Sequence, residues 1–370
     1  MLAGMDLPYG YLVALVLVAL GTLSALTAPR RPPALAMLGF RFAVALNELP
    51  FAAFAWLLAV TVLTAAQGDL TSPFLIVAAV TTLAGLCLVA WRGRQALPAL
   101  RHAMGDIPVS RRLPCARILL SPLSRRHGPV ERTPDLRYGP AGERNLLDVY
   151  RHRSRPTGAP VLIHLHGGRY TGGAKNSQSL PLLYHFAERG WTCVSANYRL
   201  RPEADLRDHL VDAKKVIAWI REHGPAHGAD PRLIVLAGSS AGAHLASLTA
   251  LTHDDPAFQP GFEQADTSVT AVVGLGGYYG PYDDAPRSSP SAHARPDAPP
   301  FLLIHGSHDT LVPAETARLF ADRLRAVSTA PVIYAELPGA HHAFDLFPSL
   351  RFAAVINAIE AFAGRLRPSL

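Results

Sequence analysis

Charge is scarce in this chain of 370 residues: Asp, Glu, Lys and Arg together make up 17%. The mean hydropathy is positive, which is unusual for a protein surrounded by water on all sides. Cysteine is scarcer still. Cys87, Cys115 and Cys193 form no CxxC pair and no even framework, which argues against a disulfide-stapled scaffold and fits a reducing compartment. No metal-ligand spacing stands out. His164 and His166 alternate on a strand, without the further clustered ligands that a catalytic zinc site requires. No fixed-period repeat or low-complexity tract is visible. The segment ahead of the first apolar run carries Asp6 and no Lys or Arg, so it is a poor secretory signal.

What is abundant is apolar sequence before residue 92. Residues 7–29, 49–68 and 70–91 carry no charge, and each run is near the roughly 20 residues that span a hydrocarbon core. The sequence therefore predicts a membrane region over residues 1–91 with three transmembrane helices. Arg30, Arg31 and Arg41 follow the first run; Asp69 alone follows the second; Arg92, Arg94, Arg101, Arg111 and Arg112 follow the third. The positive-inside rule then predicts a multi-pass protein of the cell membrane, with its N-terminus outside and the large C-terminal part cytoplasmic. Glu48, at the start of the second span, is expected at the inner surface. Residues 92–137 hold ten arginines and six prolines that break periodicity, and read as a basic, Pro-rich linker. Its charge, the main source of a pI near 9.5, suits contact with anionic membrane lipid. Nucleic acid is not expected as a partner.

From residue 138 onward the pattern alternates. Strands are expected at 145–150, 160–165, 191–197, 233–237, 268–275, 301–305 and 332–337. Helices are expected at 179–189, 204–223, 241–252, 314–327 and 352–366. Such alternation predicts an α/β fold, a mostly parallel sheet with helices on both faces, and a site at the carboxyl ends of its strands.

The richest motif is Gly238-Ser239-Ser240-Ala241-Gly242, which follows the apolar run from Leu233 to Ala237. A strand running through Gly-x-Ser-x-Gly into a helix is the setting of a nucleophile elbow. The spacing to both glycines favours Ser240 over Ser239. Downstream, Asp309 follows one strand, and the pair His341 and His342 follows the next. The order Ser, Asp, His is that of α/β-hydrolases, with the histidine as base and the aspartate fixing its tautomer. Upstream, a strand ends in His166-Gly167-Gly168-Arg169-Tyr170. Backbone N–H groups of Gly167, Gly168, Arg169 and Ala241 are the candidate oxyanion donors.

Together with Asn197-Tyr198-Arg199-Leu200, Asp309-Thr310-Leu311 and Gly339-Ala340-His341-His342-Ala343-Phe344, these motifs resemble the hormone-sensitive-lipase-like carboxylesterases. The resemblance extends over roughly residues 140–365. The arrangement with apolar helices ahead of the hydrolase domain is similar to bacterial membrane-anchored carboxylesterases. It implies an α/β-hydrolase domain over residues 138–370. It selects His342, which lies two residues before Phe344, over His341. It also selects Asp309 over Asp283, Asp284 and Asp345. Arg169 stands where the family usually has a third glycine; a backbone donor survives a side chain, but a position with φ > 0 would resist one. Residues 276–300 are short where relatives often carry pocket-forming helices, which implies a more open site. The activity implied is hydrolysis of a small-molecule or lipid-like carboxylic ester through an acyl-enzyme on Ser240, with no cofactor. Amide hydrolysis by the same triad, or a non-catalytic ligand-binding protein on the same fold, are the alternatives.

Overall fold

The computed structural model describes residues 8–120 and 128–366. Residues 1–7, with Asp6 and the start of the first apolar run, lie outside the described residues. So do residues 121–127 of the expected linker and residues 367–370.

Six helices come first: α1 (Tyr9–Thr27), α2 (Pro33–Glu48), α3 (Pro50–Ala66), α4 (Pro73–Arg94), α5 (Ala96–Met104) and α6 (Cys115–Leu120). α1 and the continuous stretch Pro73–Met104 are long and apolar enough to cross a membrane. The expected second span is different. α3 is preceded by α2, and the two meet at 90°, so they make a third span only if the bent pair is counted as one. The break falls at Leu49–Pro50, where a proline without an N–H ends one helix and opens the next. Residues 33–48, which fall in the expected loop between the first two spans, are helical because Ala36, Gly39 and Ala43 line one face and are buried. On the partner helix a Cβ at Gly21 would meet Leu46 and the Phe42 carbonyl at 2.9 Å, so α1 and α2 approach closely through small residues. Glu48, at the end of α2, is buried within the protein. It is 4% exposed and forms a buried ion pair with Arg351, while Ser349 Oγ donates to its Oε2 at 2.7 Å.

The sheet has eight strands in the order β1-β2-β4-β3-β5-β6-β7-β8. They are β1 (Val130–Arg137), β2 (Leu146–His152), β3 (Ala159–Leu165), β4 (Thr192–Ala196), β5 (Ala229–Ser239), β6 (Ala271–Leu275), β7 (Phe301–Gly306) and β8 (Val332–Leu337). β2 pairs antiparallel with both β1 and β4; the pairings from β4 through β3, β5, β6 and β7 to β8 are parallel. The central strands β3, β4, β6 and β7 are buried on both faces, so they read as nearly continuous apolar runs. Alternate residues serve opposite cores. Val161, Ile163 and Leu236 pack with α8 (Leu206–His223), α9 (Ala241–Leu251) and α10 (Ala314–Val327). Leu162, Val235 and Ala237 pack with α5, α7 (Leu180–Glu188) and α11 (Leu350–Gly364).

The stretch 92–137 is therefore only partly a linker. α5 buries Ala96, Leu100 and Met104, a stripe spaced by four residues that arginines and prolines disguise in the sequence, and these side chains join the core of α11 and β8. Pro98 sits in the first turn of α5, where a missing N–H costs little. β1 is an edge strand of the sheet.

Candidate active site

β5 runs straight into α9, and Ser240 is the single residue between them. Its φ is +54°, a region that non-glycine residues avoid. The turn is held by close packing: a Cβ on Gly238 would strike the Gly242 carbonyl, and one on Gly242 would strike the Leu165 carbonyl. The Ser240 N–H donates to the Leu275 carbonyl at 2.9 Å. The hydroxyl thus stands at the start of α9, on the positive side of its dipole.

The structure brings Asp309 and His342 to this serine. The loop after β7 carries Asp309, and its Oδ2 accepts from His342 Nδ1 at 2.7 Å. With Nδ1 protonated, Nε2 is the free lone pair, and it accepts from Ser240 Oγ at 2.9 Å. Asp309 Oδ1 accepts from the N–H groups of Leu311 and Val312 at 3.0 and 2.8 Å, which fixes the carboxylate. Burial alone would raise the Asp309 carboxyl, but the imidazoles of His342 and His305 more than offset it and hold the group well below the usual carboxylate range. Burial would lower His342; the Asp309 charge and hydrogen bond outweigh it and hold the imidazole above its ordinary value. The pair is therefore tuned so that the histidine readily takes a proton while the aspartate stays charged.

His341 turns away. Its Nε2 donates to the Ala25 carbonyl at the end of α1, 3.1 Å away, and burial pushes it down to about 4. Asp283 and Asp284 are exposed on the loop after β6. Asp345 is buried, but its carboxylate accepts from Ser239 and not from His342.

The four expected oxyanion donors divide. Gly167 is not available: its N–H donates to Gln178 Oε1 at 2.9 Å. Its contribution is shape, since a Cβ there would lie 3.0 Å from the Ser240 Cβ. Among the described residues, no backbone acceptor faces the N–H groups of Gly168, Arg169 or Ala241. Arg169 does adopt φ > 0, at +57°, and Tyr170 follows at +62°. The strained turn is anchored by Tyr170, which is buried, stacks on His209 and donates to His244 Nδ1 at 2.8 Å. Arg169 itself is exposed. His166 stacks on Tyr198 with ring centroids 4.4 Å apart, and Tyr198 donates to the His166 carbonyl at 2.7 Å. These contacts shape the loop.

The catalytic side chains are themselves well covered. Ser240 and His342 are 8% and 9% exposed, and Phe40 of α2 meets the His342 ring edge-on at 6.2 Å. Nothing in the sequence near Phe40 marks it; only the docking of α2 on the loops after β7 and β8 brings it there. Gln178 escapes sequence reading for the same reason, since its partners are remote in the chain.

Residues 147–285 match the BD-FAE family model. The chain is 45% identical over 260 residues to the probable carboxylic ester hydrolase LipM of Mycobacterium tuberculosis (strain ATCC 25618 / H37Rv), covering 62% of this chain and 60% of that protein. It is 42% identical over 263 residues to the esterase LipQ of the same organism, covering 63% and 62%. The match thus spans about three-fifths of these relatives' own length. The structure of Thermogutta terrifontis esterase 2 phosphorylated by paraoxon superposes with a TM-score of 0.57 at 25% identity, covering 66% of this chain and 98% of that one. Sheet order, elbow and these matches together show an α/β-hydrolase fold, in which residues 147–285 are similar to the BD-FAE family.

Proposed function

We propose that this protein is a membrane-associated serine hydrolase of carboxylic esters. The observation that carries the reading is the continuous hydrogen-bonded chain from Ser240 through His342 to Asp309. His342 takes the Ser240 proton as Oγ attacks the acyl carbon. The N–H groups of Gly168, Arg169 and Ala241 receive the developing oxyanion. His342 then returns the proton to the departing alcohol oxygen, leaving an acyl-enzyme. Water, deprotonated by His342, attacks that acyl carbon and releases the acid, and Ser240 recovers its proton.

The substrate class we favour is a lipophilic or lipid-like ester. Supporting it, Phe40 from the helical region stands beside the base, and Thr310, next to the acid, donates to the Ala36 carbonyl of α2 at 3.5 Å. The proposed organisation is a membrane region over residues 1–91 with three crossings, the bent α2–α3 pair counted as one, and a cytoplasmic hydrolase. The distribution of arginines supports this orientation. So does Arg30 after α1, which donates to the Ser307 carbonyl of the hydrolase at 3.0 Å.

The test is hydrolysis of a p-nitrophenyl ester series by the full chain in detergent micelles, beside Ser240→Ala. Release of p-nitrophenol that disappears in the variant supports a serine esterase and ranks acyl lengths. Equal rates in both proteins would refute it, and a preference for short soluble esters over long micellar ones would refute the lipophilic substrate.

A further inference from the structure

Behind the nucleophile lies a second buried polar assembly that the reaction does not use. Asp345 is 2% exposed and lies three residues beyond His342 in the chain. No Arg or Lys pairs with it among the described residues; four hydrogen bonds hold the residue instead. Ser239, the neighbour of Ser240, donates to its Oδ2 at 2.5 Å. Ser179 donates to the same oxygen. Gln178 Nε2 donates to Oδ1 at 2.9 Å. The Ser179 N–H donates to the Asp345 carbonyl at 3.3 Å.

The hydrogen bonds have one consistent direction. Ser239 has a single hydroxyl proton, and the carboxylate takes it, so His164 Nε2, 2.9 Å from Ser239 Oγ, must be the donor there. His164 Nδ1 is then the bare nitrogen, and it is the atom left without a partner. Burial pushes His164 down to about 4, which keeps it in that neutral form. On the other side, Gln178 turns its NH2 to Asp345 and its oxygen to the Gly167 N–H. An ionised carboxylate accepts at both of its oxygens and donates at neither, and this site asks for acceptors on both sides.

We infer that Asp345 is a positioning residue: its carboxylate is the shared acceptor that sets the elbow, the Gly167 loop and the base loop in register. Ser239 ties it to the nucleophile, Gln178 ties it to the glycine turn beside the oxyanion donors, and the backbone ties it to His342. Gly167 N–H is thereby withdrawn from the site so that Gly168, Arg169 and Ala241 face the oxyanion. This inference rests on the serine-esterase reading.

Asp345→Asn tests it, because the amide cannot accept on both sides. If its oxygen faces the serines, its NH2 faces Gln178 Nε2, and rotating Gln178 moves the donor–donor clash to the Gly167 N–H. The double variant Asp345→Asn with Gln178→Glu lets every hydrogen bond form again, with the bond between the two side chains reversed, and keeps the charge. In the full chain in detergent, with p-nitrophenyl butyrate as substrate, Asp345→Asn is expected to lower kcat at least about tenfold with KM nearly unchanged, the kind of effect that follows loss of oxyanion alignment. Labelling of Ser240 by a fluorophosphonate slows in parallel, and the double variant recovers most of kcat. Wild-type kcat in Asp345→Asn, or no recovery in the double variant, overturns the inference. Should Asp345→Asn fail to fold, Gln178→Ala cuts the bridge between Asp345 and Gly167 while the serines keep their bonds to Asp345, and kcat must still fall at constant KM; an unchanged kcat overturns the inference. Failure of the esterase reading itself would look different: Ser240→Ala would hydrolyse as fast as the wild type.

Discussion

The two halves of this molecule treat the same side chains in opposite ways. In the sheet region, Leu, Ile, Val and Phe point inward and form two cores, one on each face. In the helical region they point outward as well: Val13, Leu17, Leu20 and Leu23 on α1, Trp56, Val62 and Leu63 on α3, and Phe74, Val77, Val80 and Trp91 on α4 are all exposed. Among the described residues, the only large exposed apolar side chains outside residues 9–91 are Leu119 and Leu319. So large an apolar face is rare on a surface that meets only water, and it supports the proposed membrane region. Polar residues reverse too. Charges cover the outside of the sheet region, whereas the charge that matters most to the helical region, Glu48, is inside, against Arg351. The halves differ in where their apolar side chains point, and a buried charge pair fastens one to the other.

Substitutions can break this division or sharpen it. The largest effect belongs to the sheet region: Ser240→Ala is expected to lower kcat by about 10⁶, measured by ester hydrolysis. Leu17→Ala, on the outward face of α1, should leave kcat unchanged in the same assay. Asp309→Asn comes next, with a loss of about 10⁴ in kcat and a change in pH profile. In the wild type, His342 must be neutral to take a proton, and its value is raised. Activity therefore falls as pH drops through a midpoint above the ordinary histidine value. In Asp309→Asn the favourable charge is gone and burial acts against the imidazolium, so the residual activity persists to lower pH. A midpoint that does not move would show that Asp309 has no hold on the base.

Third is the junction itself. Glu48→Ala leaves the Arg351 guanidinium buried and unpaired, which costs about 3–5 kcal/mol; thermal unfolding in detergent should show it as a large fall in Tm. An ion pair confined to the outside of the sheet region gives the contrast. Arg318 and Glu336 meet at 2.8 Å, yet both are substantially exposed, and Arg318→Ala should cost less than about 1 kcal/mol. Equal losses at the two pairs would mean that the junction is no more desolvated than the surface.

Ser240, Asp309 and His342 are legible in the sequence because each stands at the end of a strand, in a local motif whose spacing the chemistry dictates. Gly167 reads wrongly as a donor because its acceptor, Gln178, is set by a fold-level contact that local spacing does not encode. The same holds for Phe40. α2 is hidden for another reason: Arg30, Arg31 and Arg41 mark the stretch as a connection between spans, while its buried stripe is made of Ala36, Gly39 and Ala43, residues too small to weigh in a hydropathy reading. α5 is hidden by Pro98 and Arg101 and by the basic, Pro-rich stretch around it, although its buried positions recur at helical spacing. The seven expected strands coincide with β2 to β8, while β1 lies in the stretch read as linker, and β5 extends from Ala229 to Ser239, well beyond its apolar core, because pairing and not hydrophobicity sets its ends.

The Glu48–Arg351 contact has a practical side for anyone who wants this hydrolase in water. Cutting the chain ahead of Ala96 retains α5 and every strand, but it removes the counter-charge of an arginine that is 1% exposed. It also strips α2 from the loops that carry Asp309 and His342. A shortened protein of that kind would start life with a bare cation in its interior. Replacing Arg351 by leucine in the same step exchanges that cation for packing, an exchange that similar volumes make neutral or favourable. Solubility here is thus a question of one interior residue as much as of the helices removed.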